Sequence, residues 1–219
     1  MYSLTKAISI SAALLLSACT APLNGNASQA GVADVPFQED KANSNATINF
    51  HVDSASDPVL GRVKPILDLL GRTEGTDRGD GYDETLGYGA FTGGNVILTA
   101  MTLAEIDTLQ TAMLRHPQNR FKSSAIGRYQ ITRTTLRMLK TQLGLAEDAL
   151  FTATMQDMLA FELLKLRGYD AWLAGEIDDR QFALSLAKEW ASLPNPNTGK
   201  GYYPGQKSAV DYATVQDVL

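Results

Sequence analysis

A glutamate set in line with an apolar helical stripe is the first feature of this sequence that could do chemistry. In "VKPILDLLGRTEGTD", Val63, Leu67, Leu70 and Glu74 are spaced four, three and four residues apart, one face of a 3.6-residue period. An acid on such a face loses part of its hydration, so its charged form is disfavoured and its pKa rises. A carboxyl group that stays protonated near neutral pH is a proton donor, which a glycosidic oxygen needs in order to leave. Gly75 follows as a helix stop and puts the acid at a domain edge, where a cleft can open. An idle, solvated glutamate at a helix end is the alternative that position alone leaves open.

Asp77, Asp80, Asp83 and Glu84 follow closely. Any of them could position a water for an inverting hydrolase if it lay ~6.5–9.5 Å from Glu74. Their plainer role is turn formation, since "DRGDGYD" is rich in Asp and Gly. Asp77 is also a supporting candidate that would bind backbone amides and hold the loop after the helix.

Further along, Tyr129 could stack on a sugar face, and the amide of Gln130 could both donate to and accept from an acetamido group. Arg128 could meet the carboxylates of a glycan strand. The alternative for Tyr129 is burial with its hydroxyl satisfied internally. Ser123 and Ser124 read as loop residues or cleft hydroxyls. Tyr202 and Tyr203, flanked by glycines after the last helix, suit a cleft rim. Trp190 shares a stripe with Phe182 and Leu186 and belongs in the core.

Other chemistries lack their parts. His51 and His116 are the only histidines, so neither a zinc site nor a histidine-based triad is expected. "GYGAFTGG" lacks the lysine of a phosphate-binding loop, and no metal or cofactor is needed.

The elements that must position these residues are mostly helical. After the first helix, Thr102 and Glu105 form a capping box for a helix carrying Leu103, Ile106, Leu109 and Met113, which Pro117 ends. Thr132 or Thr134 starts another, with Leu136, Leu139 and Leu143 as its stripe and Gly144 as its stop. A segment from about 154 to 166 is apolar nearly all round and should be the buried central helix. The last holds Phe182, Leu186 and Trp190. Between Gly79 and Thr99, glycines and aromatics predict turns with one or two short strands. The fold class is therefore α+β, mostly helical, with a small glycine-rich β lobe.

The amino-terminal part has a different character. "MYSLTKAISISAALLLSACT" has one basic residue, an apolar run too short to span a bilayer, and small residues before a cysteine: an export signal. "LLSAC" resembles the lipobox of bacterial lipoproteins, with Cys19 the residue to be acylated after removal of residues 1–18. Cys19 is the sole cysteine and has no disulfide partner. Acylation would anchor the chain to a membrane, and Thr20 in place of aspartate favours the periplasmic face of the outer membrane. Residues 19–58, rich in Asn, Ala, Ser and Gly, form a tether. One ordinary domain, 59–219, follows.

A net charge of -5 speaks against nucleic-acid binding. The run of Arg115, Arg120, Lys122, Arg128, Arg133, Arg137 and Lys140, without an acid among them, reads as a solvated face or as a cleft wall facing an anionic polymer.

"TEGTD" then "GYD", "SSAIGRYQIT", "EWASLP" and "GYY", in that order from about 59 to 205, resemble the phage lambda lysozyme family of glycoside hydrolases. The resemblance implies a lysozyme-like domain and a lytic transglycosylase acting on peptidoglycan, with Glu74 as catalytic acid and base and no cofactor. It implies a glycan cleft along Gly127, Tyr129 and Gln130 with Ser124 before them, and Arg128, Tyr82 and Asp83 join them as substrate-binding candidates. The protein is expected to act as a monomer. This sequence departs from the family in a shorter spacer between "EGTD" and "GYD", and "MTLAEIDTLQTAMLRHPQ" replaces a loop-like region. A hydrolytic muramidase and a non-catalytic peptidoglycan-binding lipoprotein are the alternatives.

Overall fold

The structure, a computed structural model, describes residues 58–219. The export signal, Cys19, His51 and the tether lie outside the described residues. Helix α1 spans Pro58–Glu74, and the stripe read from the sequence is its buried face: Val63, Leu67 and Leu70 are all buried, joined by Ile66 and Leu69. The helix stops where expected, because Gly75 adopts φ 81°, a left-handed conformation that costs other residues a Cβ clash.

Two single 3-10 turns follow, Thr76–Arg78 and Gly81–Asp83, and a third covers Leu98–Ala100. The strands expected in this glycine-rich segment do not form. Among the described residues, pairing is limited to isolated bridges such as Thr85 with Ile126 and Ile126 with Ile131. The physical reason is the density of left-handed positions: Gly87, Tyr88, Gly89, Gly93 and Gly94 all have positive φ, which breaks an extended ladder.

Helix α2, Leu103–Arg115, begins with the predicted capping box: Thr102 Oγ1 accepts from Glu105 N–H, and Glu105 accepts from Thr102 N–H at 2.8 Å. Helix α3, Arg133–Leu143, starts at Thr132 rather than Thr134. Helix α4, Ala153–Leu166, is the buried one, contributing Met158, Leu159, Ala160, Phe161, Leu163 and Leu164 to the core and packing on α1 and α3. Helix α6, Asp179–Glu189, ends one residue before Trp190. Two short helices, α5 (Tyr169–Leu173) and α7 (Tyr212–Gln216), have no counterpart in the periodicity because a five-residue element spans too few turns to show a stripe. Trp172 of α5 stacks on Phe182 of α6, their ring centres 5.0 Å apart.

Candidate functional site

Glu74 is the last residue of α1 and is only partly exposed. Its Oε1 accepts a 2.6 Å hydrogen bond from Ser192 Oγ, in the segment after α6. Burial pushes its pKa up to about 7, and the Ser192 bond opposes that rise in part. Ser192 is itself buried, and its hydroxyl lies 3.1 Å from Thr73 Oγ1, whose own proton can reach Leu70 O at 3.2 Å. The backbone fixes Ser192 as well, since its carbonyl accepts from Ala209 N–H at 2.7 Å.

The turn 126–131 is drawn to this place by side chains from both sides. Thr76 Oγ1 lies 2.8 Å from Arg128 O, and Trp190 Nε1 donates to Tyr129 O at 3.2 Å. From below, the buried Gln156 of α4 accepts from Arg128 N–H and donates to the carbonyls of Tyr82 and Phe151. Gly127 is required by this packing: a Cβ there would lie 2.2 Å from Gln156 Oε1, and its φ is 72°.

Several sequence assignments change on these contacts. Tyr129 is 1% exposed, so its ring offers no face to a sugar; its hydroxyl donates to Asp157 Oδ1 at 2.5 Å. Ser124 is buried and accepts from Arg133 N–H at the start of α3, while Ser123 is buried beside Asn119. Gly127 serves packing and is buried. Asp77 does not take backbone amides. It forms a two-pronged pair with Arg128, Oδ1 to Nε at 2.8 Å and Oδ2 to Nη2 at 3.0 Å. Arg128 Nη2 also reaches Asp68 Oδ1 at 3.0 Å, so its guanidinium is committed within the fold rather than offered to a glycan carboxylate.

Tyr82 donates to Asp157 Oδ1 at 2.8 Å, with the Arg128 guanidinium over its ring. Asp83 accepts from Thr99 N–H at 2.7 Å, and the buried Glu84 accepts from the amides of Asp80 and Thr85. These two carboxylates organise loops.

Gln130 keeps a place at the surface: it is half-buried, has φ 51° and donates from Nε2 to Gly127 O. Tyr202 and Tyr203 are also half-buried, and the Pro194–Gly201 bridge pairs the start of their loop with the segment that carries Ser192. Tyr203 donates to Lys188 O at 2.8 Å and meets Tyr202 edge to face. Most of the basic run is absorbed locally. Arg137 pairs with Asp107, Lys140 with Glu147, and Arg133 donates to Thr111, leaving Arg115, Arg120 and Lys122 exposed. Trp190 is buried, as its stripe required.

Three residues of the site escaped the sequence reading. Tyr88 is 56% exposed with φ 57°, and its hydroxyl lies 3.5 Å from where a methyl on Gly75, the residue after the glutamate, would stand. Its signal was an aromatic between two glycines. Asp157 is an acid inside the apolar α4, the same kind of misfit that drew notice to Glu74. Ser192 lies in the "EWASLP" block, but nothing local singled it out, because its importance lies in a contact across 118 residues.

A family model described as Endolysin matches residues 64–217. The endolysin of Escherichia phage lambda is 30% identical over 144 residues, covering 63% of this chain and 80% of that protein. A solved structure of bacteriophage lambda lysozyme complexed with a chitohexasaccharide is 27% identical and covers 72% of this chain and 91% of that one, with a TM-score of 0.45. The class is that of lysozyme-like enzymes, glycosidases that cleave peptidoglycan. Within it, the chain belongs to the endolysin family.

Proposed function

We propose that the protein is a peptidoglycan lytic transglycosylase in which Glu74 is both general acid and general base. Glu74 protonates the oxygen joining N-acetylmuramic acid to N-acetylglucosamine, and positive charge builds on the sugar ring as the bond breaks. The resulting carboxylate takes the proton of the same sugar's 6-hydroxyl while that oxygen closes onto C1, forming a 1,6-anhydro ring without consuming water.

The observation that carries this reading is the Glu74 carboxyl, largely buried at the end of α1 with Ser192 Oγ donating to it at 2.6 Å, a setting in which burial pushes its pKa up to about 7. An acid that titrates near neutral pH can give a proton and take one back. The state of three of the four acids that follow it, the exposed Asp80 being the exception, supports transglycosylation over inverting hydrolysis. Asp77 is paired with Arg128, Asp83 with Thr99 N–H, and Glu84 with two backbone amides, so each is bound to structure rather than poised to activate a water. Gln130, Tyr202, Tyr203 and the ring of Tyr88 are the partly exposed groups proposed to meet the glycan.

The proposal extends to place. The lipobox-like "LLSAC" and the polar stretch after it support export, acylation of Cys19 and tethering at the periplasmic face of the outer membrane, where a monomer would reach the wall.

Mass spectrometry of digested sacculi tests the chemistry. Muropeptides should end in anhydro sugars, lighter by one water than reducing ends, and Glu74→Gln should bind sacculi but cut them about 10²–10⁴-fold more slowly. Reducing ends alone would make the protein a hydrolase. Binding without cutting by the wild type would leave it a wall-binding lipoprotein.

A further inference from the structure

The two hydroxyl groups behind Glu74, those of Ser192 and Thr73, have too few protons to donate in all three of their contacts. Ser192 Oγ lies within hydrogen-bond distance of both Glu74 Oε1, at 2.6 Å, and Thr73 Oγ1, at 3.1 Å. A serine hydroxyl has one proton and two acceptor positions, so it donates to one neighbour and can accept from the other. Thr73 has the same choice between Ser192 Oγ and Leu70 O, 3.2 Å away.

Two ordered arrangements result. In one, Thr73 donates to Ser192 and Ser192 donates to Glu74 Oε1; Oε1 is then an acceptor, and any proton on Glu74 must sit on Oε2. In the other, Glu74 carries its proton on Oε1 and donates it to Ser192, which donates to Thr73, which donates to Leu70 O. Here the proton points into the protein and cannot be delivered.

We propose that Ser192 is a positioning residue that, by donating to Oε1 in preference to Thr73, keeps the transferable proton of Glu74 on Oε2. This rests on the reading of Glu74 as acid and base. In the productive arrangement the proton passes from Oε2 to the glycosidic oxygen as that oxygen's bond to C1 breaks, and the carboxylate keeps the electron pair. Ser192 continues to donate to Oε1 and stabilises the new charge. When the 6-hydroxyl oxygen bonds to C1, its proton returns to Oε2, because Oε1 is still occupied.

The arrangement is well braced. Ser192 is 1% exposed, its carbonyl is held by Ala209 N–H, and neighbouring Trp190 is bonded to Tyr129 O. The charged and titratable groups on the surrounding elements are engaged elsewhere or point outward. Asp68, Asp77 and Arg128 are bound to one another and Glu84 to backbone amides. Tyr203 is bonded to Lys188 O, the Lys188 ammonium lies over the Tyr202 ring, Glu189 pairs with Arg167, and Arg72, Arg78 and Tyr88 are exposed.

The test compares Ser192→Ala, Thr73→Val and Glu74→Gln in the full-length protein, each checked for fold by circular dichroism. Turnover on sacculi is measured, and the Glu74 carboxyl is titrated directly by carbon-13 NMR. Loss of the Ser192 donor should raise the Glu74 titration midpoint by about one pH unit and lower kcat about tenfold with KM held. Thr73→Val removes the acceptor that the inward arrangement needs, so it should move the midpoint downward. An unmoved midpoint in Ser192→Ala, or a shift of both variants in the same direction, overturns the role of Ser192. If Glu74→Gln still cuts, the assignment of Glu74 itself fails, an outcome separate from the titrations.

Discussion

At the scale of the residue, the chemistry of Glu74 has a cost in stability with a definite sign. Its folded pKa, about 7, is above its ordinary value of 4.5, so the folded protein binds this proton more tightly than the unfolded chain does. The stabilising contribution is therefore complete below pH 4.5 and lost as pH rises through 7. Above that, a buried charge is carried at a cost of about 3 kcal/mol, from 1.36 kcal/mol per unit. Glu74→Gln, which cannot ionise, should gain up to that amount over wild type at pH 8.5 and little at pH 4.5. Thermal unfolding at both values checks this, and an equal difference at the two would contradict the burial argument. Activity should follow the same group, with kcat/KM falling above about pH 7 as the acid form is depleted. The acid was legible in the sequence because burial of α1's stripe follows from a local period. Ser192 was not, since a serine in "EWASLP" looks the same whether it faces solvent or a carboxyl group contributed by a distant helix.

At the scale of the element, Arg128 joins parts that would otherwise drift. Its guanidinium ties Asp68 of α1 to Asp77 of the turn after it, and through the phenols of Tyr82 and Tyr129 it approaches Asp157 of α4. Burial raises the pKa of Asp157, while the two phenols and Arg128 favour its charged form. Arg128→Lys keeps the charge but loses the planar fork that binds Asp77 in two places. It should lower stability by about 1.5–3 kcal/mol, the range for hydrogen bonds to charged groups, seen as a lower urea midpoint at unchanged slope. It should also slow cutting, because the turn leaving Glu74 loses its anchor. The helices were readable from caps and stripes: Thr102 with Glu105 for α2, Thr132 for α3, and the all-round apolar pattern for α4. The glycine-rich segment was readable as turns but not as strandless, since sequence alone does not say how many glycines take positive φ. The family blocks marked "GRYQ" as important, and the structure assigns most of that importance to packing. Tyr129 and Gly127 hold the turn against α4, and Gln130 is left at the surface.

At the scale of the whole molecule, the cutting domain and its proposed mooring are separable in experiment. Cys19→Ser should release the protein from the membrane fraction into the soluble periplasm while the purified variant cuts isolated sacculi at the wild-type rate. Persistence in the membrane fraction would refute acylation as the anchor. The parts of the acid site, by contrast, are widely separated in the chain. Glu74 comes early in the domain, the hydroxyl that holds it belongs to Ser192, and the amide that holds Ser192 belongs to Ala209. This imposes an order in time. On the export route proposed above, a polypeptide emerging amino-terminus first would present its reactive group long before the residues that aim it, so the enzyme would stay harmless to its translocation site until Ser192 and Ala209 had been delivered and folded back.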